Sequence, residues 1–231
     1  MHELVDRLRK SKMAVFSLED ICRFGGLGRS EGSVYVHRML KRNLIQRIQR
    51  GKYTVTDDPF VVSSQLVTPS YISFLSSLYL HGKLEQSLNT IFIVSPYKRP
   101  RCEVFGMEAR FVKFQPSLIF GFKKVRKGES YVSLAELEKT ILDILYLPRY
   151  ARIGTIANLV REVDTCKLQE YARRMGEAVV RRTGYLLDRA GIEHGLKPGT
   201  KCVYRLNPSI PSLGSLDKKW LLYVNEELDS C

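Results

Sequence analysis

From Gly32 to Thr56 the sequence carries six cationic side chains (Arg38, Lys41, Arg42, Arg47, Arg50 and Lys52) and not one Asp or Glu. Its two halves have different periodicities. Val36, Met39, Leu40 and Leu44 recur at i, i+3, i+4 and i+8, the spacing of one face of an α-helix. Leu44 to Ile48 then alternates, Arg50-Gly51 is a turn signal, and Lys52 to Val55 alternates again, which predicts a two-stranded hairpin. A basic helix followed by a basic ribbon restricts the fold sharply, because each element needs an apolar partner on its uncharged side.

The residues before it supply that partner. Residues 3–11 predict a first helix with Leu4, Val5 and Leu8 on one side, followed by the short apolar run Met13 to Phe16. Ser17-Leu18-Glu19-Asp20 is a helix start: the Ser17 hydroxyl can accept a backbone N–H three residues on, and the acids suit the positive helix end. This second helix, with Leu18, Ile21 and Cys22 inward, stops at Gly25-Gly26-Leu27-Gly28, a turn between crossed helices. Arg29 and Ser30 open the third helix, with Ser30 as its expected N-cap. Helix, turn, helix and hairpin in this order predict a winged helix-turn-helix over residues 1–58. The outer face of its third helix presents Ser33, Tyr35, His37, Arg38, Lys41 and Arg42. Arginine is the usual bidentate reader of guanine in the major groove, and a ribbon bearing Arg47, Arg50 and Lys52 suits phosphates. The plainer alternatives are a solvated helix face and a charged hairpin that blocks edge pairing, with Tyr35 packed against the wing and His37 touching a phosphate or nothing.

The 231 residues suffice for two modest domains, and 44% hydrophobic with 26% charged residues is a globular composition. No apolar run approaches the roughly 18 residues of a membrane span. The start MHELVDRLRKSK carries acids and no apolar signal core, so a cytoplasmic protein is expected. The five cysteines, Cys22, Cys102, Cys166, Cys202 and Cys231, are scattered with no C-x-x-C pair, as are the four histidines. That spacing predicts no metal site and reduced, mostly buried thiols. Net charge is +13, spread as +5 over residues 1–60, +5 over 61–150 and +3 over 151–231. Such a balance favours a polyanion or an acidic protein as partner.

At Thr56-Asp57-Asp58-Pro59 the composition turns acidic, which marks a domain boundary, and residues 61–67 follow as an apolar connector. Thr68-Pro69-Ser70 opens an expected helix ending at Gly82. Strands are expected at 90–94, 102–105, 109–114, 118–125 and 130–132. A helix opening at Ser133 with capping-box spacing runs to Pro148. Helices are expected over 156–163 and from Lys167 to about Ala190, broken near Gly176 or Gly184. Late strands are expected at 202–206 and 220–224, on either side of the loop NPSIPSLGS. The fold class is therefore α+β: a winged helix-turn-helix followed by a larger mixed α/β domain over 61–231, strand-rich at 61–148, helical at 149–195, with late strands at 200–225. Two basic clusters mark candidate partner-binding surfaces there: Lys98, Arg99 and Arg101 in one turn, and Lys123, Lys124, Arg126 and Lys127 along one strand.

Two other classes compete with a DNA-binding protein. A metal-dependent nucleic-acid enzyme needs clustered carboxylates. Glu136, Glu138 and Asp143 share a helix, but Glu136 and Glu138 point to different faces, and no G-x-S-x-G or Walker A sequence is present. No catalytic residue and no cofactor is expected. An adaptor without a DNA role would use the two basic clusters to dock an acidic protein.

Four segments carry a resemblance to a family. YLHGKLEQ at 79–86 is similar to an Ala/Tyr-x-His-Gly-Leu-x-x-Gln pattern, and SLAELEKTILDIL at 133–145 to a Ser-x-Glu-Arg-Thr-Leu-x-Asp-Leu helix, with Lys139 where arginine is usual. RRTGYLLDRAG at 181–191 resembles an Arg-x-Gly-Tyr-Leu-Leu-Glu helix, and Lys219-Trp220 with Val224-Asn225 resemble closing Arg-Trp and Val-Asn pairs. In this order they resemble the AbiEi-type antitoxins, transcriptional regulators of viral defence systems. The resemblance implies a winged helix that binds inverted repeats in its own promoter and represses it, on DNA as a monomer or homodimer. It also implies a C-terminal domain that counters a nucleotidyltransferase-like toxin.

Overall fold

A computed structural model of the protein describes residues 1–212 and 214–228. The chain divides into two compact units interleaved in sequence: residues 1–72, 87–114 and 123–134 form the first, and residues 73–86, 115–122 and 135–231 the second. The architecture is α+β, with an N-terminal winged helix-turn-helix and mixed sheets after it.

The first unit opens with α1 (His2–Lys10), α2 (Leu18–Gly25) and α3 (Arg29–Lys41), then the antiparallel strands β1 (Gln46–Gln49) and β2 (Lys52–Thr54). Leu4, Val5, Leu8, Phe16, Ile21, Val36, Met39 and Ile45 form their shared core. Burying such side chains stabilises by roughly 1.5–3 kcal/mol each. The apolar run 13–16 supplies a third, short ribbon partner: Phe16 bridges Tyr53 through two backbone hydrogen bonds of 2.8 and 2.9 Å. α2 carries a full capping box between Ser17 and Asp20, a feature worth about 1 kcal/mol. Ser30 is not a cap. Gly28 takes that position in extended conformation, and Ser30 lies inside the first turn of α3.

Residues 61–67, expected as a connector, belong largely to a helix, α4 (Pro59–Gln65). Pro59 opens it and the Asp58 carboxylate accepts from the N–H groups of Phe60 (2.9 Å) and Val61 (3.0 Å). These are start signals, outweighed in the sequence reading by the change of composition. α4 packs on β3 (Tyr71–Ile72), β4 (Thr90–Ser95) and β5 (Cys102–Val104). With β6 (Met107–Lys113), β7 (Phe122–Lys127) and β8 (Ser130–Ala135) these strands make a six-stranded mixed sheet in the order β5-β6-β4-β3-β8-β7. β4 runs parallel to β6 in register from Thr90 opposite Glu108 to Ser95 opposite Lys113. Apart from the end residues Phe122 and Ala135, these strands lie in the first unit. The helix expected from Thr68 begins late for this reason: Tyr71 and Ile72 pair with Val94 and Ile93 of β4, and Ile72 also with Leu134 of β8. The pairing overrides the helical stripe, and α5 runs only over Phe74–Leu80.

The second unit packs α5, α6 (Leu137–Tyr146), α7 (Thr165–Met175) and α8 (Glu177–Arg189) against one another, beside a small sheet ordered β10-β11-β9. Its strands are β9 (Tyr204–Arg205), β10 (Ser215–Asp217) and β11 (Leu222–Val224). The break expected near Gly176 lies there, where φ is +100°. Ser133 belongs to β8 and no cap hydrogen bond opens α6. The expected helix over 156–163 is replaced by 3-10 turns at Ile153–Ile156 and Leu159–Arg161, and the strand from Leu118 by a 3-10 turn ahead of β7. Part of the expected loop NPSIPSLGS pairs as β10, while its Leu213 lies outside the described residues.

The buried-thiol expectation is overturned: Cys22 and Cys102 are half-buried, Cys166 and Cys202 exposed, and all four free. Cys231 lies outside the described residues. Among the described residues no helix is long and apolar enough to cross a membrane, and no three His, Cys, Asp or Glu side chains gather as a metal site needs.

Candidate nucleic-acid interface

The position of α3 is set at its crossing with α2. Gly26 ends α2 in the left-handed region at φ +64°, with its N–H on the Cys22 carbonyl. Gly32, in α3, then passes against Cys22, where an added Cβ would lie 2.2 Å from Sγ and 3.7 Å from its Cβ. Gly32→Ala alone is therefore expected to destabilise the module by about 1–3 kcal/mol through overpacking. With Cys22→Ala beside it, most of that loss should return, since alanine is the better helix former by about 1 kcal/mol. Thermal denaturation of the two variants checks this, and a double variant as unstable as the single one would place the clash elsewhere.

With Gly32, Val36 and Met39 turned inward, α3 exposes Arg29, Ser30, Ser33, His37, Arg38, Lys41 and, at its C-cap, Arg42. Arg29 lies 3.8 Å from Glu19. Among the described residues no carboxylate lies within ion-pair distance of Arg38, Lys41, Arg42, Arg47 or Arg50, and Arg47 and Arg50 are exposed on the ribbon. Gly51 makes the ribbon turn at φ +73°. Glu31, in the first turn of α3, is an exposed acid on this surface, but Arg38, Lys41, Arg42, Arg47 and Arg50 can meet a polyanion without first breaking ion pairs of their own. Tyr35 is half-buried, packed against the module core. Lys52 is engaged: its Nζ donates to the Leu66 carbonyl at the end of α4 (3.1 Å), a favourable place for a cation.

The two further basic clusters stay apart. Lys98, Arg99 and Arg101 are exposed in the turn between β4 and β5, with Arg101 3.3 Å from Glu108. Lys123, Lys124 and Arg126 are exposed on β7, the opposite edge strand of the sheet. Lys127 is half-buried, ion-paired with Asp58, and its Nζ stands 5.7 Å from the centroid of the Phe60 ring. Gln65, unremarkable in the sequence, ties the ribbon module to the sheet. Its Oε1 accepts from the Ala14 N–H (2.7 Å) and its Nε2 donates to the Tyr131 carbonyl (3.0 Å). No local pattern announces such a bridge, because its partners are 51 and 66 residues away.

The helix acids weighed as a metal site are occupied. Glu136 and Glu138 lie 2.9 and 3.8 Å from Lys167 Nζ, and the Tyr171 hydroxyl donates to Glu136 (2.9 Å). Asp143, fully buried, is ion-paired with the equally buried Lys139 and accepts from Ser73 Oγ (2.7 Å). Burial pulls the Lys139 ammonium below the ordinary lysine range, against the charge and hydrogen bond of Asp143.

The segments that carried the family resemblance prove to be one interlocked scaffold in the second unit. His81 Nε2 lies 2.8 Å from the Ala135 carbonyl. The buried Arg181 guanidinium donates to Glu177 (2.6 Å) and to the carbonyls of Cys202 (2.7 Å), Trp220 (3.2 Å) and Thr200 (2.5 Å). Arg182 donates to the carbonyls of Leu145 (2.6 Å) and Arg205 (3.1 Å), and burial pulls its pKa down to about 10. Trp220 Nε1 donates to Asp188 (2.5 Å), and Asn225 Nδ2 to the carbonyls of Asn207 and Ser212 (2.7 and 3.0 Å). Buried polar groups satisfied in this way specify a fold, so these residues hold the unit together.

No curated protein sequence matches the chain. The crystal structure of RV2827C protein from Mycobacterium tuberculosis is similar in fold, with a TM-score of 0.58 at 14% identity over 96% of this chain and 89% of that one. Residues 3–56, which span α1 to the end of the ribbon, match the family described as transcriptional regulator, AbiEi antitoxin. That family match is confined to the N-terminal module, and the chain is similar to the AbiEi antitoxin transcriptional regulators over those residues.

Proposed function

We propose that the protein binds double-stranded DNA through α3 and the β1–β2 ribbon, represses its own promoter at inverted repeats as a monomer or homodimer, and neutralises a nucleotidyltransferase-like toxin through residues 61–231. The observation that carries the DNA reading is the exposed surface of Ser30, Ser33, His37, Arg38, Lys41, Arg42, Arg47 and Arg50, whose Lys and Arg side chains meet no carboxylate within ion-pair distance among the described residues. Base-reaching side chains lie on the helix and phosphate-reaching ones on the ribbon, the division that groove readers use. DNA binding is assigned to residues 1–58 as the reading module. Within the basic clusters, Lys98, Arg99, Lys123, Lys124 and Arg126 are exposed positions open to an acidic partner, whereas Arg101 lies 3.3 Å from Glu108 and Lys127 serves Asp58. The role is non-enzymatic: the carboxylates of α6 that a metal would need are taken up by Lys139, Lys167 and Tyr171. Footprinting the full-length protein on its own upstream DNA, with growth rescue from a co-expressed neighbouring toxin, tests both halves. Two protected half-sites that lie within an inverted repeat are expected. Protection without sequence preference would reduce the DNA role to non-specific binding, and unrescued growth would remove the antitoxin role.

A further inference from the structure

Val34 interrupts the polar surface of α3. It is 47% exposed, and among the described residues of 1–58 it is the one large apolar side chain so exposed. Ser30 stands four residues before it, Ser33 beside it, His37 three after, Arg38 four after and Lys41 seven after, all exposed. Positions three and four apart share a helix face, so Val34 sits in the middle of the stripe proposed to face DNA, among hydrogen-bond donors and with the exposed carboxylate of Glu31 three residues before it. The other valine of α3, Val36, is turned inward at 5% exposure and needs no further account. At an exposed helix position a β-branched residue is a poorer helix former than Leu, Lys or Glu, and nothing within the module covers Val34. The major groove has one apolar feature on its base edges, the thymine 5-methyl group, and small apolar side chains are what contact it. Resting on the DNA-binding reading above, we infer that Val34 is a specificity-determining residue that packs on the 5-methyl group of a thymine, while its neighbours on the stripe donate to base acceptors and phosphates.

The experiment is selection from a random duplex library with the full-length protein and with Val34→Ala, followed by a cycle on the enriched duplex with that thymine replaced by uracil. Alanine is the stronger helix former, so the variant keeps the module folded. The wild type is expected to enrich a thymine that Val34→Ala no longer selects. Replacing it by uracil should weaken wild-type binding about fourfold, the effect of one buried methyl group, and should leave Val34→Ala binding unchanged. If the two losses multiply independently at every enriched thymine, Val34 does not read the methyl group. Enrichment of no sequence at all would sink the DNA-binding reading and this inference with it, whereas enrichment with independent losses sinks this inference alone.

Discussion

Gly184→Ala is expected to destabilise the second unit by about 3 kcal/mol, the scale of displacing a large core side chain. Gly184 lies in α8 against the face of Trp220, where an added Cβ would stand 2.0 Å from Cη2 and 2.4 Å from Cζ2 and Cζ3. The ring has little room to retreat. Trp220 is buried and its Nε1 is held by Asp188, whose carboxylate also takes Lys219 Nζ at 2.5 Å and His194 Nε2 at 3.2 Å. Moving the indole breaks that cluster as well as its packing. Trp220 is the only tryptophan of the chain, so its emission reports the site directly, and a red shift at temperatures below the main unfolding transition is expected. Adding Trp220→Leu to Gly184→Ala removes the atoms that collide, and the double variant should be less destabilised than the two single losses added together. Simple additivity in denaturant titrations would mean that the cost of Gly184→Ala lies in the helix itself rather than against the indole.

Arg38→Ala is expected to lose preference for the upstream site over scrambled duplex by about 1–3 kcal/mol, the worth of a good bidentate base contact. Binding to scrambled DNA should fall much less. Arg47→Ala with Arg50→Ala, on the ribbon, should weaken both duplexes by similar factors. It should also flatten the slope of log K against log salt by about 2, since each phosphate contact contributes roughly 0.9. Lys52 is omitted from this pair because its Nζ is bound to the Leu66 carbonyl, so its removal would perturb the joint with α4 as well as any contact to DNA. The measurement is a salt titration of both variants on both duplexes. A ribbon variant that loses site preference at unchanged salt slope would make the ribbon the reader and α3 the anchor.

The winged helix-turn-helix was legible because its signals are local. Helical spacing at Val36, Met39 and Leu40, the capping residues Ser17 and Asp20, the turn at Gly26 and the alternation on either side of Arg50-Gly51 each act over a few residues. The family resemblance was legible too, through segments that turn out to interlock: Arg181 on the Trp220 carbonyl, Arg182 on the Leu145 carbonyl. Their order along the chain survives in the sequence, but their structural purpose does not. Tertiary structure alone decided that Tyr71-Ile72 is a strand, because its partners Ile93, Val94 and Leu134 arrive from about 20 to 60 residues away and backbone pairing outweighs helical propensity there. It alone decided which charges are free. Lys127 and Lys52 read in sequence as part of a basic surface, yet each is bound to an acid or a carbonyl. Arg38, Arg47 and Arg50 remain on the surface. Residue type states a charge, but whether that charge meets water, a carboxylate or a partner depends on what the rest of the chain brings within a few ångströms of it.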